Sequence, residues 1–286
     1  MTRGKNYVII IIEKEEWRFL MIKIDNEPVD FKHFNDGSCR FYLLPPTQAK
    51  ITWLYSGNDE EIIQLFYLIS HLKAHHSYVE LEMPYINSAR QDRAPRDEDV
   101  FTLKYFCNLI NSLNIDKIKT FDPHSAVSVA LLNNIEVVTP QETLTTLINA
   151  ILPPDTLIAY PDAGSEKRYS AMLKLPYIVG VKERDWKDGT IRSLHIYGEK
   201  DRIANHPILL IDDIMSRGTT IYLAAKQLKE RGAGPIYVYV SHCENTVLKP
   251  QIDGRSLLDY GVIDKIFTTN SIFQGEHPQI RIVKEF

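Results

Sequence analysis

Residues 212–220 read DDIMSRGTT and follow an unbroken apolar run at 208–211. Adjacent carboxylates at the end of a buried strand suit the hydroxyls of a sugar diol, because an ionised acid accepts hydrogen bonds and cannot itself hold an anion. The turn behind Asp212 and Asp213 contains Ser216, Arg217, Gly218, Thr219 and Thr220. It offers backbone amides, small hydroxyls and the start of a helix, which together suit a phosphate. Acids beside a phosphate nest point to a phosphorylated sugar with a vicinal diol. An ordinary helix start needs one capping residue, whereas this loop holds several.

Other segments carry related chemistry. In YPDAGSEKRY (160–169) a strand ends on Pro161, Asp162, Ala163 and Gly164, small residues that let a diphosphate approach backbone amides, although a simple turn has the same composition. TFDPHSA (120–126) sets Asp122 and His124 just beyond a strand, and MPYINSARQDR (83–93) sets Arg90 and Arg93 beyond another. Imidazole, carboxylate and guanidinium groups on adjacent loops suit a nucleoside triphosphate with its metal. A single histidine past a strand is more often a surface or capping residue. VGVKERDWKDGTIRS (179–193) places Lys182 and Arg184 in a charged link between two strands, which is either a solvated hairpin or a mobile loop closing over a phosphoryl transfer.

The elements that must position these residues alternate along the chain. A first strand is expected at 7–12, then short strands at 41–44 and 51–55, a helix at 59–75, a strand at 78–83, a helix at 100–113 and a strand at 117–121. Ile135, Val137 and Val138 would close this half. After the Pro153–Pro154 pair, a plausible hinge, the pattern resumes. Strands are expected at 156–160, 177–181, 191–197, 208–211 and 236–241, with helices at 165–172 and 219–231 and a further helical turn and strand toward the end. Two halves of similar alternation imply a tandem of α/β domains, 1–148 and 149–286, with mostly parallel sheets whose ligands sit beyond the strand carboxyl ends.

With 286 residues, 44% apolar and 24% charged, the chain is long enough to bury a sizeable core. A formal charge of -4 with scattered Lys and Arg argues against a nucleic-acid partner. The longest early apolar run is too short to span a bilayer, so no membrane association is expected. Cys39, Cys107 and Cys243 are far apart and lack ligand spacing, which argues against disulfides or structural zinc and fits the cytoplasm.

Taken in order, PYINSARQDR, TFDPHSA, PDAGSEKR, VKER, LLIDDIMSRGTT and the late GVIDKIFTTNSI resemble the motifs of the ribose-phosphate diphosphokinase (phosphoribosyl-diphosphate synthetase) family, over roughly residues 5–275. The resemblance implies two domains of the type I phosphoribosyltransferase fold. It implies transfer of the β,γ-diphosphate of ATP to the anomeric hydroxyl of ribose 5-phosphate, with Mg2+ required, in a homodimer or larger homo-oligomer. It would make Arg90, Gln91 and the adenine-loop residues Phe34 and Asp36 ATP contacts, His124 and Asp162 neighbours of the phosphates and metal, Lys182 and Arg184 the cations of a catalytic loop, and Asp212 and Asp213 the ribose-diol acids. Departures stand out: Arg217 takes the place of a small threonine in the phosphate loop, and Ser38 stands where the family has Glu in the adenine loop. Arg217 either blocks ribose 5-phosphate or reaches the diphosphate of ADP-ribose, the alternative acceptor. A non-catalytic paralogue that assembles with a true synthetase, or a phosphoribosyltransferase, are the remaining readings.

Overall fold

The computed structural model describes residues 21–184, 191–197, 200–250 and 252–286. The expected first strand at 7–12 lies outside them. The first unit runs β1 (Ile22–Ile24), β2 (Glu27–Pro28), β3 (Lys32–His33), β4 (Cys39–Arg40), β5 (Gln48–Trp53), α1 (Glu60–Ala74), β6 (Tyr78–Glu82), α2 (Thr102–Ser112), β7 (Lys117–Phe121), α3 (Ala126–Leu131) and β8 (Ile135–Val138). β5 to β8 are parallel, β1 joins β5 antiparallel, and the described order is β2-β1-β5-β6-β7-β8. Their inward residues, among them Ile51, Trp53, Val79, Leu81 and Ile118, pack on Leu65, Leu68 and Leu72 of α1 and Leu103 and Ile110 of α2. The expected strand at 41–44 does not form. β4 stops at Arg40 after pairing with β3 in a hairpin, and Tyr42 and Leu44 stand in solvent.

Through α4 (Gln141–Thr146) and one π-helical turn, Leu147–Ile151, the chain enters the second unit. It contains β9 (Leu157–Tyr160), α5 (Ala163–Leu173), β10 (Tyr177–Arg184), β11 (Ile191–Tyr197), α6 (Lys200–Ile203), β12 (Ile208–Met215), α7 (Thr219–Glu230), β13 (Ile236–Cys243), β14 (Lys265–Thr269) and β15 (Ile280–Lys284). The described order is β11-β10-β9-β12-β13-β14-β15, parallel except for β11. β12 is buried on both sides: Ile208 and Leu210 face one apolar cluster, Leu209 and Ile211 another. A parallel strand covered on both faces reads as a continuous apolar run, which is what 208–211 shows.

Two strand ends differ from expectation. β12 does not stop at Ile211 but continues through Asp212 and Asp213, because Ile214 and Met215 keep pairing with His242 and Cys243 of β13. β10 likewise carries Lys182 and Arg184 in strand, opposite Leu194 and Ile191 of β11, so they stand on a strand rather than in the link. The side chains of both fall outside the described part of the chain. β15 answers to no sequence expectation; it adds to β14 in parallel at the sheet edge.

Candidate active site

The carboxyl ends of the two sheets face each other, and the polar residues there bond across the gap. Asp122 follows the last residue of β7, and its φ of 43° puts it in the left-handed region that Asp tolerates better than most residues. Its carboxylate is buried and accepts from Tyr169 Oη of α5 at 2.6 Å and from Ser241 Oγ of β13. Burial pushes the Asp122 carboxyl up, against the hydrogen bonds from Ser241 and Tyr169 and the charge of Arg168. His242, fully enclosed, bonds through Nε2 to the carbonyls of Phe121 (3.0 Å) and Asp122 (3.3 Å), and through Nδ1 to Ser271 Oγ (2.8 Å). Burial lowers its pKa and so favours the neutral ring.

Two residues past Asp122, His124 places Nδ1 2.7 Å from Asp213 Oδ2. The same oxygen lies 3.1 Å from Arg168 Nη2. Burial alone would raise the Asp213 carboxyl, but the hydrogen bond from His124 and the charges of His124 and Arg168 outweigh it and bring it down to about 2. In return the Asp213 hydrogen bond raises the His124 pKa against a smaller effect of burial. The pair is therefore biased toward imidazolium and carboxylate.

Asp162 is the N-cap of α5: its Oδ1 accepts from Ser165 N at 2.9 Å, as a cap should. Ser165 Oγ then reaches Asp162 Oδ1 at 3.2 Å and Asp212 Oδ1 at 2.7 Å, tying two of the expected sugar-phosphate residues together. At α7, Gly218 is the N-cap with φ 82°, a conformation that favours glycine, and a Cβ there would come 2.5 Å from Leu257 Cδ2. Among the described residues no side-chain cap bond is made at this helix start. Ser216 Oγ meets Thr246 Oγ1 at 3.3 Å, Thr246 bonds Glu244, and Glu244 pairs with Arg90 Nη2 at 2.6 Å. Arg90 is thereby joined to the phosphate-type loop. Arg217 and Thr219 are exposed and Thr220 is half-buried. Arg217 makes no hydrogen bond or ion pair among the described residues.

Asp162, His124, Arg90, Asp212, Asp213 and Ser216 thus meet at one crest. Gln91 instead accepts a bond from Thr102 at the start of α2. Phe34 and Asp36 lie on the exposed β3–β4 hairpin, with Arg40 stacked 5.0 Å over the Phe34 ring and Asp36 bonded to Ser38 N and Oγ. Among the described residues they touch nothing at the crest. The sequence reading passed over Arg168, Tyr169, Ser165 and Glu244. A signal was present for three of them: Ser165, Arg168 and Tyr169 stand at i, i+3 and i+4, one face of α5, and that face turns to the strand ends.

A divalent cation has a partial fit. Among the described residues no three His, Cys, Asp or Glu side chains group as a cation cage. Mg2+ is commonly held by one or two carboxylates together with substrate phosphates, and the Asp162 carboxylate at the start of α5 is a donor of that kind.

Two tandem α/β units meeting at their strand carboxyl ends define the tandem type I phosphoribosyltransferase fold. The crystal structure of phosphoribosylpyrophosphate synthetase from Mycobacterium smegmatis superimposes with a TM-score of 0.73 at 19% identity, covering 88% of this chain and 84% of that one. In sequence the chain is 26% identical over 272 residues to ribose-phosphate pyrophosphokinase 1 of Listeria monocytogenes, covering 87% of this chain and 78% of that protein. It is 27% identical over 273 residues to ribose-phosphate pyrophosphokinase of Mycoplasma pneumoniae, covering 89% and 80%. No family model matches the chain. Likeness in sequence and in fold together support the ribose-phosphate pyrophosphokinase family.

Proposed function

We propose that the protein is an ATP-dependent diphosphokinase that transfers the β,γ-diphosphate of ATP to the anomeric hydroxyl of a 5-phosphorylated ribose, releasing AMP. The observation that carries this reading is the joining of His124 on an ATP-side loop to Asp213 on the sugar-side strand at 2.7 Å. A phosphoribosyltransferase has no use for ATP-side loops at Arg90 and His124, and a non-catalytic partner has no need to keep Lys182, Arg184 and both acids. In this reading Asp212 and Asp213 accept from the ribose 2- and 3-hydroxyls, and the amides of 216–220 hold the 5-phosphate at the positive end of α7. Arg90 and the His124 imidazolium face the triphosphate, with Gln91, Phe34 and Asp36 on the adenosine side. Lys182 and Arg184 neutralise charge on the transferring group, a contribution made mainly in the transition state. Mg2+ would be held by Asp162 with the phosphates, close to His124, and would supply charge neutralisation on the diphosphate. A cytoplasmic homodimer or larger homo-oligomer is the proposed working form, and the domain division is proposed at 148/149.

Ribose 5-phosphate is the first acceptor, on the names of the relatives. ADP-ribose is the second, on one observation: the Arg217 guanidinium stands exposed at the phosphate loop, where a 5-linked diphosphate would lead outward past it. One charge-assisted contact is worth about 1.5–3 kcal/mol, roughly 10- to 150-fold in preference. The test is to supply ATP, Mg2+ and each acceptor separately and weigh the product. A diphosphate gained by ribose 5-phosphate alone rejects ADP-ribose. A diphosphate gained by ADP-ribose alone rejects the first assignment, and Arg217→Thr should then erase the preference. Failure with both acceptors sinks the proposal.

A further inference from the structure

We propose that Arg168 is a positioning residue that holds the His124 loop of the first unit onto Asp213 of the second, and so aims the imidazole at the bound triphosphate. The inference rests on the reading of His124 given above and concerns a residue to which that reading assigns no role. Four acceptors surround the Arg168 guanidinium. Its nitrogens donate to the backbone carbonyls of Pro123 and His124, and they lie 3.1 Å from Asp213 Oδ2 and 3.5 Å from Asp122 Oδ1. The group therefore grips His124 at both ends: by its own carbonyl, and through the acid that its ring contacts. With Nδ1 committed to Asp213, the opposite ring edge carries Nε2.

The grip suits arginine and no other side chain. Guanidinium offers five donors in a rigid plane, enough to span two carbonyls and two carboxylates at once, whereas an ammonium is a point charge with three donors. The next residue completes it. Tyr169 holds Asp122, the left-handed residue that turns the chain out of β7 toward His124. Consecutive residues of α5 thus fix both the start of the loop and its tip. The Arg168 side chain is only 25% exposed, and its bonds run to protein rather than toward solvent.

The test uses the full chain with Arg168→Met and Arg168→Lys. Amide hydrogen exchange is read over 120–128 and, as an internal reference, over 208–215. Both variants should speed exchange in the loop, Met by about 10-fold or more, while the reference segment changes little. Lys is the milder variant and keeps the charge should Met fail to fold. In the AMP-release assay, kcat should fall about 10- to 100-fold, the order of loss expected from misplacing a reacting group by about 1 Å. KM for the acceptor should stay within about twofold, and Lys should restore little. Unchanged loop exchange in a folded variant, or full rescue of turnover by Lys, overturns the proposal. If the wild-type chain releases no AMP, the functional reading fails, and the exchange measurement still decides whether Arg168 holds the loop.

Discussion

In the first sheet, Lys50, Glu82, Glu80, Lys119, Lys117 and Glu136 share one face and pair across neighbouring strands, Lys50–Glu82 at 2.9 Å, Lys119–Glu80 at 2.8 Å and Lys117–Glu136 at 2.6 Å. The matching face of the second sheet is filled by Leu209, Ile211, Tyr239 and Phe267. Among the described residues, one parallel sheet thus has an apolar core on a single side, and the other has one on both. The difference shows in what each unit delivers to the crest. The doubly covered sheet carries Asp212 and Asp213 within a strand, in a stretch that pairs with β13 from Ile208 to Met215. The singly covered sheet delivers His124 on a short loop, and side chains of the other unit hold that loop in place.

The comparison is most sharply broken by Leu210→Ala. At a site with no exposure and apolar packing, the lost methylenes and residual cavity should cost about 2–5 kcal/mol in chemical denaturation. A cost below about 1 kcal/mol would mean that the second sheet is not tightly packed on this face. Next in size, Lys182→Ala should lower turnover about 10²-fold or more, near 2.7 kcal/mol, with substrate binding changed far less. Near-normal turnover would reduce the charged strand end to a solvated edge.

The pH dependence of His124 gives a third, smaller effect. Its pKa in the folded protein lies above the unfolded value of about 6.5, mainly through the Asp213 hydrogen bond. The stabilisation is therefore fully present below that pH and is lost as pH rises through the folded pKa. The melting-temperature gap between wild type and His124→Gln should be widest at mildly acid pH and should narrow toward alkaline pH; a gap that widens with pH contradicts the pairing. His242 is common to both proteins and cancels. Smallest of all, Lys119→Ala on the charged face of the first sheet should change stability by less than about 1 kcal/mol, since part-exposed ion pairs contribute little. A larger loss would show that this face is more than a solvated ladder.

Much of this was legible in the chain. The apolar run at 208–211, the helix starting at Thr219 and the strand at 117–121 follow from periodicity, and Asp122 and Asp162 stand just past strand ends as read, whereas Asp212 lies inside β12. The errors have a common cause. Periodicity stops a strand where polar residues begin, yet β12 runs through Asp212 and Asp213 because partners distant in sequence satisfy them: His124, Arg168 and Ser165. The same blindness hid Arg168, whose contacts at Pro123 and His124 lie 45 and 44 residues away. In the hairpin at 32–40 the turn was legible only as a ligand motif. Its strand β4 ends at Arg40, and Phe41 packs edge-on against Phe31 just beyond the ladder.

The central claim is that the diphosphate of ATP moves intact to the acceptor, and phosphorus NMR of the reaction tests it most directly. With purified protein, Mg2+, ATP and whichever acceptor is used, the account predicts AMP accumulating in equal amount with a new sugar-linked diphosphate, while ADP and orthophosphate stay at background. Formation of ADP with orthophosphate, or of ADP with an acceptor carrying one added phosphate, or ATP left unconsumed with both acceptors, would contradict it.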